Sequence, residues 1–299
     1  MKSTSNNTAD VDKNQRTKKP RKATADESLQ SGIQGVVNTM MERVLNKVLY
    51  TDPFLSDKFK AEKPLYAALV PEEIFKGSHF ERRFVTPFGS AWEQLAIVAA
   101  KHGLGKAEAG YIIHGQIHEE RLRRITEVLN RLEHGKTNSG RIKPDWNAEL
   151  EYIKKGRGKQ LPISIMCDIH IESPIDGKKY SFEIKGPLHN SDQAKVSKEK
   201  LLKIHAMEPQ PVNEAYFCLP YNPYGKRSLY SWSHPARWFD MKTDSIVLIG
   251  DEFWNKIGGR GTYQTFIAAI NQIGKAYRDR IYREYLGIEP PARNEKIEI

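Results

Sequence analysis

Apolar and polar residues alternate most regularly along residues 162–186. In the first half of this stretch, apolar side chains occupy every second position, at Ile163, Ile165, Cys167, Ile169 and Ile171. A period of two is the pattern of a β-strand with one buried face. The dipeptide Asp176-Gly177, which favours tight turns, separates this strand from a second alternating segment at 180–185. The pattern therefore predicts a β-hairpin.

The face opposite the apolar one carries charged and polar side chains from both predicted strands. They are Asp168, His170, Glu172, Glu183 and Lys185. With the turn centred on the Asp-Gly dipeptide, His170 lies opposite Glu183, and Asp168 lies opposite Lys185. A rigid hairpin with one apolar face and converging charges on the other is the arrangement expected of a metal site.

Helical spacing of apolar residues dominates the chain before the hairpin, and helices alternate with strands after it. The pattern predicts helices at 29–49, 91–102, 118–134 and 144–154, with a short β-like segment at 111–117. After the hairpin it predicts a helix at 190–207, buried strands at 214–219 and 245–250, and a final helix at 262–286. A helix that connects strands of one sheet implies parallel pairing. The order predicts an α/β fold with a mixed β-sheet flanked by helices and a helical N-terminal portion.

The length of 299 residues allows one large domain or two small ones. We interpret residues 29–288 as a single domain, with a helical part at 29–155 and a sheet core at 156–288. Residues 1–28 are rich in Lys, Thr, Asn and Ser and lack periodicity, so we expect a disordered basic tail. Residues 289–299 follow the last predicted helix as a C-terminal tail.

Composition and charge favour a globular protein with an anionic partner. Hydrophobic residues make up 39% of the chain and charged residues 28%. The net charge is +10, but residues 1–22 contain seven Lys or Arg and two Asp, which accounts for half of the excess. No apolar run is long enough to cross a bilayer, and the N-terminus lacks an apolar signal core. Because the two cysteines lie in predicted core strands, we expect buried thiols and a cytoplasmic location.

Asp168 and Glu183 are the residues on which the predicted chemistry depends. Two carboxylates on neighbouring strands repel one another unless a cation or a proton joins them. Their hard oxygen atoms suit Mg²⁺, which also accepts phosphate oxygens as ligands. Lys185 lies on the same face and can polarise a water molecule near the metal and neutralise charge that grows on a phosphate. The combination favours hydrolysis of phosphodiesters.

Asp168, followed fifteen residues later by Glu183-Ile184-Lys185, resembles the PD-(D/E)xK nuclease motif. In that superfamily a hairpin presents an aspartate and then an acid two residues before a lysine. The resemblance implies that Asp168 and Glu183 bind Mg²⁺ and that Lys185 assists the hydrolytic water. Cys167 stands where the motif has its proline, which such enzymes often lack.

Longer segments resemble the TdeIII-like group of type II restriction endonucleases. These segments are TPFGSAWEQLA, FEIKGPLHNSDQAKVSKEKLL, FCLPYNPYG and VLIGDEFWNKIGGRGTY. The resemblance implies a homodimer that cuts double-stranded DNA at a short palindrome of the GGNCC kind and leaves 5′-phosphate ends. It also implies a cognate DNA methyltransferase as the genetic partner.

The sequence allows two interpretations of Glu93. In PD-(D/E)xK nucleases an acid on an upstream helix often contributes to the metal site, and Glu93 is the candidate here. However, Ser90 and Glu93 also have the spacing of a capping box, in which Glu93 closes the start of the helix predicted at 91–102. Both interpretations stay open.

Polar residues that follow the motif are candidates for DNA binding. They are Asn190, Gln193, Lys195, Asn222, Lys226 and Arg227. The first three begin a predicted helix together with Asp192 and Lys198, and a helix N-terminus can meet a phosphate. The last three follow a core strand in a loop that can reach base edges or phosphates. An ordinary polar helix face and a plain turn are the alternatives.

Two rival functions also fit the sequence. One is a repair or junction-resolving nuclease of the same fold, and the other is a non-catalytic DNA-binding protein. A charged hairpin edge without function is the simplest alternative, because further (D/E)xK triplets occur by chance at 176–178 and 240–242. Only the triplet at 183–185 has an acid paired across a hairpin, and a protein that merely binds DNA does not need that arrangement.

Overall fold

A five-stranded mixed sheet with helices on both faces forms the centre of the computed structural model, which describes residues 25–138 and 140–291. The strands are β1 (Lys106–His118), β2 (Lys136–Thr137), β3 (Gly140–Arg141), β4 (Gln160–Glu172), β5 (Lys179–Ile184), β6 (Glu214–Leu219) and β7 (Val247–Ile249). The main sheet has the order β1-β4-β5-β6-β7, while β2 and β3 form a separate pair.

The helices occupy most of the N-terminal part and both faces of the sheet. They are α1 (Ala25–Asn46), α2 (Ser56–Glu62), α3 (Pro64–Leu69), α4 (Glu72–His102), α5 (Glu119–His134), α6 (Trp146–Lys154), α7 (Ser191–Ala206), α8 (Asp251–Gly258) and α9 (Thr262–Arg280). The π-helical turns Lys47–Thr51 and Ile281–Leu286 extend α1 and α9, and 3₁₀ turns occur at Arg227–Leu229 and Pro235–Arg237. Within the described residues, none of the helices is both long enough and apolar enough to cross a bilayer.

The sheet is antiparallel on one side and parallel on the other. β1, β4 and β5 pair antiparallel, whereas β5, β6 and β7 pair parallel. Helix α7 provides the crossover between β5 and β6, as the alternation of helix and strand in the sequence predicts. The predicted α/β fold with a mixed, helix-flanked sheet and a helical N-terminal portion is therefore confirmed.

Several boundaries differ from the prediction. Helix α1 begins at Ala25, so the last four residues of the predicted tail at 1–28 are helical, and the remainder of that tail lies outside the described residues. The same holds for residues 292–299 of the predicted C-terminal tail. β1 has 13 residues rather than the short segment at 111–117, and α8 was not predicted.

Helix α4 runs without a break through the segment where a new helix was predicted to begin. Pro87 lies inside it, followed by Gly89, and the helix continues to His102. A proline in a helix interior removes one backbone hydrogen bond, and here burial of the following turns against the sheet outweighs that loss. The predicted helix start at 91 is therefore wrong.

Buried apolar residues fill both faces of the sheet. The first core layer lies between the sheet and α1, α4, α8 and α9. The second core layer lies between the sheet and α5, α6 and α7, and it also includes the segment around Trp238 and Phe239. The sheet thus separates two apolar layers, and β1, β4 and β6 contribute side chains to both.

The apolar side chains of β4 change layer at Asp168. Ile165 and Cys167 belong to the second core layer, whereas Ile169 and Ile171 belong to the first. In a regular strand all four would lie on one face. The prediction of one continuous apolar face along the first strand of the hairpin is therefore wrong.

The neighbouring strand β1 changes layer at the same level. Ala109 packs against the first core layer, and Ile113 belongs to the second. Between them is Gly110, which has φ +62° and lies at the level of Asp168, between the pairs Ala109–Ile169 and Tyr111–Cys167. This value is in the left-handed region that glycine adopts without a steric penalty, so Gly110 accommodates the distortion shared by the two strands.

The hairpin register differs from the predicted one by two residues. His170 pairs with Ser181, and Glu172 pairs with Lys179, because the turn spans Ser173 to Lys178. A shift of two residues keeps every side chain on its own face, whereas a shift of one would not. Continuation of this register brings Asp168 level with Glu183 rather than with Lys185.

A buried ion pair joins α7 to α6 in the second core layer. Lys198 Nζ lies 2.5 Å from Glu149 Oε2, and both side chains are almost fully buried. The ammonium also lies over the rings of Trp146 and Phe239, at 4.8 and 5.1 Å from their centroids. Lys198 therefore has a structural role and is not available to DNA. The prediction that it belongs to a polar helix start that meets a phosphate is wrong.

We expect Lys198→Ala to lower the free energy of unfolding by about 3–5 kcal/mol, because it leaves the buried Glu149 carboxylate without its positively charged partner. Urea unfolding followed by circular dichroism measures this loss. Lys203→Ala, which removes a partly exposed lysine of the same helix that pairs with Glu199, is the control and should cost less than about 1 kcal/mol. Equal effects of the two variants would contradict the structural role of Lys198.

Candidate active site

Asp168 lies at the point where β4 and β5 diverge. The last backbone pair between these strands joins Ile169 and Phe182. Beyond it, Asp168 Oδ2 accepts a hydrogen bond from the backbone N–H of Ile184 at 2.7 Å. The carboxylate thus replaces the backbone partner that β5 loses, and a charged acceptor makes this hydrogen bond stronger than a neutral one. Asp168 is held in one orientation as a result.

Lys185 joins the carboxylates of Asp168 and Glu183. Its Nζ lies 3.2 Å from Asp168 Oδ2 and 2.8 Å from Glu183 Oε1. A third hydrogen bond, of 3.1 Å, goes to the carbonyl oxygen of Ile184. Three acceptors match the three donors of an ammonium group. The structure therefore brings together the three residues that the motif predicted.

The charge state of Lys185 follows from these contacts. Burial by itself lowers the pKa of Lys185, but the negative charges of Glu183 and Asp168 and their hydrogen bonds outweigh it, and the pKa lies above its ordinary value. Lys185 is therefore a cation in this arrangement. It can donate hydrogen bonds and stabilise negative charge.

Glu183 has a second lysine partner that the sequence analysis missed. Lys200 Nζ lies 3.0 Å from Glu183 Oε1 and 2.9 Å from Oε2. Ser197 Oγ lies 3.3 Å from Oε1, and only 3% of the Glu183 side chain is exposed. Gln193, Ser197 and Lys200 are four and three residues apart, the spacing of one helix face. That spacing, in the helix directly after the motif, is the sequence pattern from which Lys200 could have been identified.

Glu93 faces the same group of charges from helix α4. Burial is the largest cause that raises the pKa of Glu93 above its ordinary value, and the nearby negative charges of Asp168 and Glu183 add to it, opposed in part by Lys185. Ser90 lies inside α4 rather than at its start, so no helix end exists for Glu93 to close. The capping-box interpretation is therefore wrong.

A cleft of about 650 Å³ gives access to this group of residues. Glu93, Lys185 and Gln193 line its polar end. The remainder is mostly apolar and is lined by side chains of α4 and α9, with Tyr221 from the loop after β6. The charges are thus concentrated at one end of the cleft.

Two charged or polar residues of the hairpin do not join the site. His170 is buried and stacks on Tyr111, with ring centroids 4.2 Å apart. Burial lowers the pKa of His170, which favours the neutral ring. Glu172 is exposed and pairs with Lys179 at 2.8 Å. They support the hairpin rather than the cluster around Asp168.

The candidates for DNA binding at the start of α7 have different surroundings. Asn190 is the helix cap, because its side-chain oxygen accepts a hydrogen bond from the backbone N–H of Gln193 at 2.9 Å. Gln193 itself lines the cleft beside Lys185. Lys195 pairs with Glu133 at the other side of the helix.

The candidates in the loop after β6 are largely occupied in building that loop. Asn222 is buried, and its side chain accepts a hydrogen bond from the backbone N–H of Tyr224 at 3.0 Å. Arg227 donates to the carbonyl oxygen of Met241 and to Glu252, both at 3.0 Å. The plain-turn alternative accounts for Asn222 and Arg227, whereas Lys226 is exposed.

The donor atoms of the acidic pair fit a divalent metal ion. Among the residues that the structure describes, no three His, Cys, Asp or Glu side chains form a ready metal site. Glu183 Oε2 accepts a hydrogen bond only from Lys200, and Asp168 Oδ1 accepts none from the described part of the chain. Two carboxylate oxygens with unused lone pairs suit Mg²⁺, which keeps several waters and completes its shell with phosphate oxygens.

Comparison with known proteins agrees with this geometry. Residues 29–274 match the family described as "Type II restriction endonuclease, HinfI". The type II restriction enzyme HgiEI of Herpetosiphon aurantiacus is 28% identical over 270 residues, which cover 86% of this chain and 94% of that enzyme. HgiBI of the same organism is 27% identical with the same coverage, and HgiCII is 27% identical over 229 residues, 75% of this chain and 82% of the enzyme.

The match confirms the predicted type II restriction endonuclease, and the fold is consistent with the PD-(D/E)xK superfamily. The narrower resemblance to the TdeIII-like group stays a prediction. The family match covers the sheet, the second core layer, most of the first and the whole site around Asp168. The chain therefore belongs to the HinfI family of type II restriction endonucleases and is a site-specific endonuclease.

Proposed function

We propose that this endonuclease hydrolyses phosphodiesters of double-stranded DNA with Mg²⁺ held by Asp168 and Glu183. The observation that supports this proposal best is the contact of one ammonium, that of Lys185, with both carboxylates. Two acids held together by a cation at the end of a rigid hairpin provide oxygen ligands and positive charge at one point. Both are needed where a phosphate gains negative charge during hydrolysis.

Each residue has a distinct part in the proposed reaction. When bound, Mg²⁺ would activate water and stabilise charge on the phosphate. Asp168 and Glu183 hold the ion, and the backbone N–H of Ile184 fixes the orientation of Asp168. Lys185 donates hydrogen bonds to the attacking water or to a phosphate oxygen while it stays charged. Glu93 adds a third acid at the polar end of the cleft.

The finer features of the reaction come from the family resemblance. We propose a homodimer that cuts a short palindrome of the GGNCC kind and leaves 5′-phosphate ends, since two-fold symmetry of the enzyme matches that of the site. A cognate DNA methyltransferase is the expected genetic partner, and the cytoplasm is the expected location. The proposed catalytic domain spans residues 29–288 together with the first turn of α1, between the basic tail and the C-terminal tail at 289–299.

The proposed DNA contacts lie around the polar end of the cleft. Gln193 lines the cleft beside Lys185, Asn190 caps α7, and Lys195 lies near the start of α7, where it pairs with Glu133. Lys226 is an exposed cation in the loop after β6. We propose that these residues contact phosphates or bases, and that Asn222 and Arg227 act indirectly by shaping the loop.

We expect the full-length protein to cut long phage DNA into discrete bands with Mg²⁺, and we expect EDTA to abolish cutting because the metal ligands then lose their ion. Agarose gel electrophoresis after incubation with and without Mg²⁺ tests this. A smear, or cutting of branched junctions alone, would favour the repair or junction-resolving nuclease. DNA that stays intact with Mg²⁺, Mn²⁺ and varied salt would favour the non-catalytic DNA-binding protein.

We expect Lys185→Ala to lower the cleavage rate by about 10²–10³-fold, because it removes the cation that faces the phosphate. Specific DNA binding measured in Ca²⁺ should survive, since the acids that hold the metal remain. Lys242→Ala is a matched control, because Lys242 belongs to an equivalent triplet at 240–242 without an acid opposite. Cleavage at the normal rate by Lys185→Ala would place the site elsewhere.

Glu93→Gln and Ser90→Ala distinguish the two interpretations of Glu93. We expect Glu93→Gln to slow cleavage at least about tenfold, through loss of a negative charge beside the metal ligands, with little change in stability. Ser90→Ala should change the free energy of unfolding by less than about 0.5 kcal/mol, because Ser90 does not cap a helix. Single-turnover cleavage and thermal unfolding provide the two measurements. Normal cleavage by Glu93→Gln would exclude Glu93 from the site.

A further inference from the structure

Lys200 contributes a second ammonium to the site, which the Glu-x-Lys triplet does not contain. It reaches both oxygens of Glu183 at 3.0 and 2.9 Å from helix α7, whereas Lys185 reaches one oxygen at 2.8 Å from the loop after β5. About a quarter of the Lys200 side chain is exposed, on the edge of the site. Glu183 is thus held between cations that come from separate elements.

The two ammonium groups balance the charges of the two proposed metal ligands. Asp168 and Glu183 carry two negative charges, and Lys185 and Lys200 carry two positive ones. Both ammonium groups also contact the same carboxylate oxygen, Glu183 Oε1. In a partly buried site such charges are screened less than in water, so each of them strongly affects the binding of an ion.

We propose that Lys200 is a positioning residue that lowers the metal affinity of Asp168 and Glu183 until DNA is bound. The inference rests on the proposed function of these two acids as metal ligands. Without DNA, Lys200 and Lys185 already neutralise the carboxylates, so a divalent ion gains little from binding. A phosphate brings further negative charge, and the same site then favours the ion.

The proposal makes metal and DNA binding mutually dependent. If bound DNA raises the affinity for metal, bound metal must raise the affinity for DNA by the same factor. With the ion in place, the positive charge of Lys200 also adds to that of the ion and attracts the phosphate. Its removal should therefore have opposite effects on metal binding without DNA and on cleavage, which a purely structural contact between α7 and β5 would not produce.

Lys200→Gln tests this, because glutamine keeps a donor for Glu183 but carries no charge. Ca²⁺ binding to the full-length protein without DNA is measured by calorimetry at pH 8.5, and single-turnover cleavage is measured with saturating Mg²⁺. We expect Lys200→Gln to bind Ca²⁺ about tenfold more tightly and to cleave at least about tenfold more slowly. Lys200→Arg keeps the charge, and both quantities should stay within about threefold of the wild type.

Lys203→Gln is the matched control, since Lys203 lies on the same helix and pairs with Glu199 instead. It should leave both quantities unchanged. If Lys200→Gln is unstable by thermal unfolding, Lys200→Met, which preserves the length of the stem, takes its place. Ca²⁺ affinity that is unchanged or weaker in a folded charge-removing variant would overturn the proposal for Lys200. Failure of the wild type to cut DNA would instead overturn the proposed function, because the Ca²⁺ titration does not depend on cleavage.

Discussion

The hydrogen bond from the backbone of Ile184 to Asp168 is the interaction on which the site depends. It forms where β4 and β5 stop pairing, so a side chain rather than a carbonyl group satisfies the amide. An unpaired amide at this depth would cost free energy, and the aspartate removes that cost while it leaves one of its oxygens uncommitted. The same contact keeps Asp168 beside β5, where the register brings it level with Glu183 and Lys185 Nζ reaches both carboxylates. The end of the pairing between β4 and β5 and the position of Asp168 in the site therefore depend on the same hydrogen bond.

The helices around the sheet supply the side chains of the site that the hairpin does not contain. Helix α7 brings Ser197 and Lys200 to the buried carboxylate of Glu183, and α4 brings Glu93 to the cleft. Both helices pack against β4 of the hairpin. α4 reaches it through the first core layer, and α7 returns to it because it is the crossover between parallel strands. The crossover that makes the sheet mixed also places a row of polar side chains beside the acids.

Much of this organisation could be predicted from the sequence, and the omissions have physical causes. The alternating pattern identified the hairpin and its charged residues, and the buried strand β6 coincides with its predicted bounds. The register could not be predicted, because Asp-Gly marks a turn but does not set its length. α4 was divided at Pro87 and Gly89, since local preference favours a break that burial of the following turns overrides. The loop role of Arg227 depends on contacts between residues distant in sequence, and the spacing of Ser197 and Lys200 indicates a shared helix face but not that this face meets Glu183.

The exchange of layers at Gly110 and Asp168 has a consequence for how this sequence can vary. On the two sides of this level, the apolar side chains of β1 and β4 pack in different core layers. One residue inserted or deleted within either strand would reverse that assignment and place polar side chains in both cores at once. Changes in length are therefore tolerable only in the connections outside these strands. Asp168 lies at the level where the strand changes from one core layer to the other, and its side chain is directed to Ile184 and Lys185 rather than into either layer.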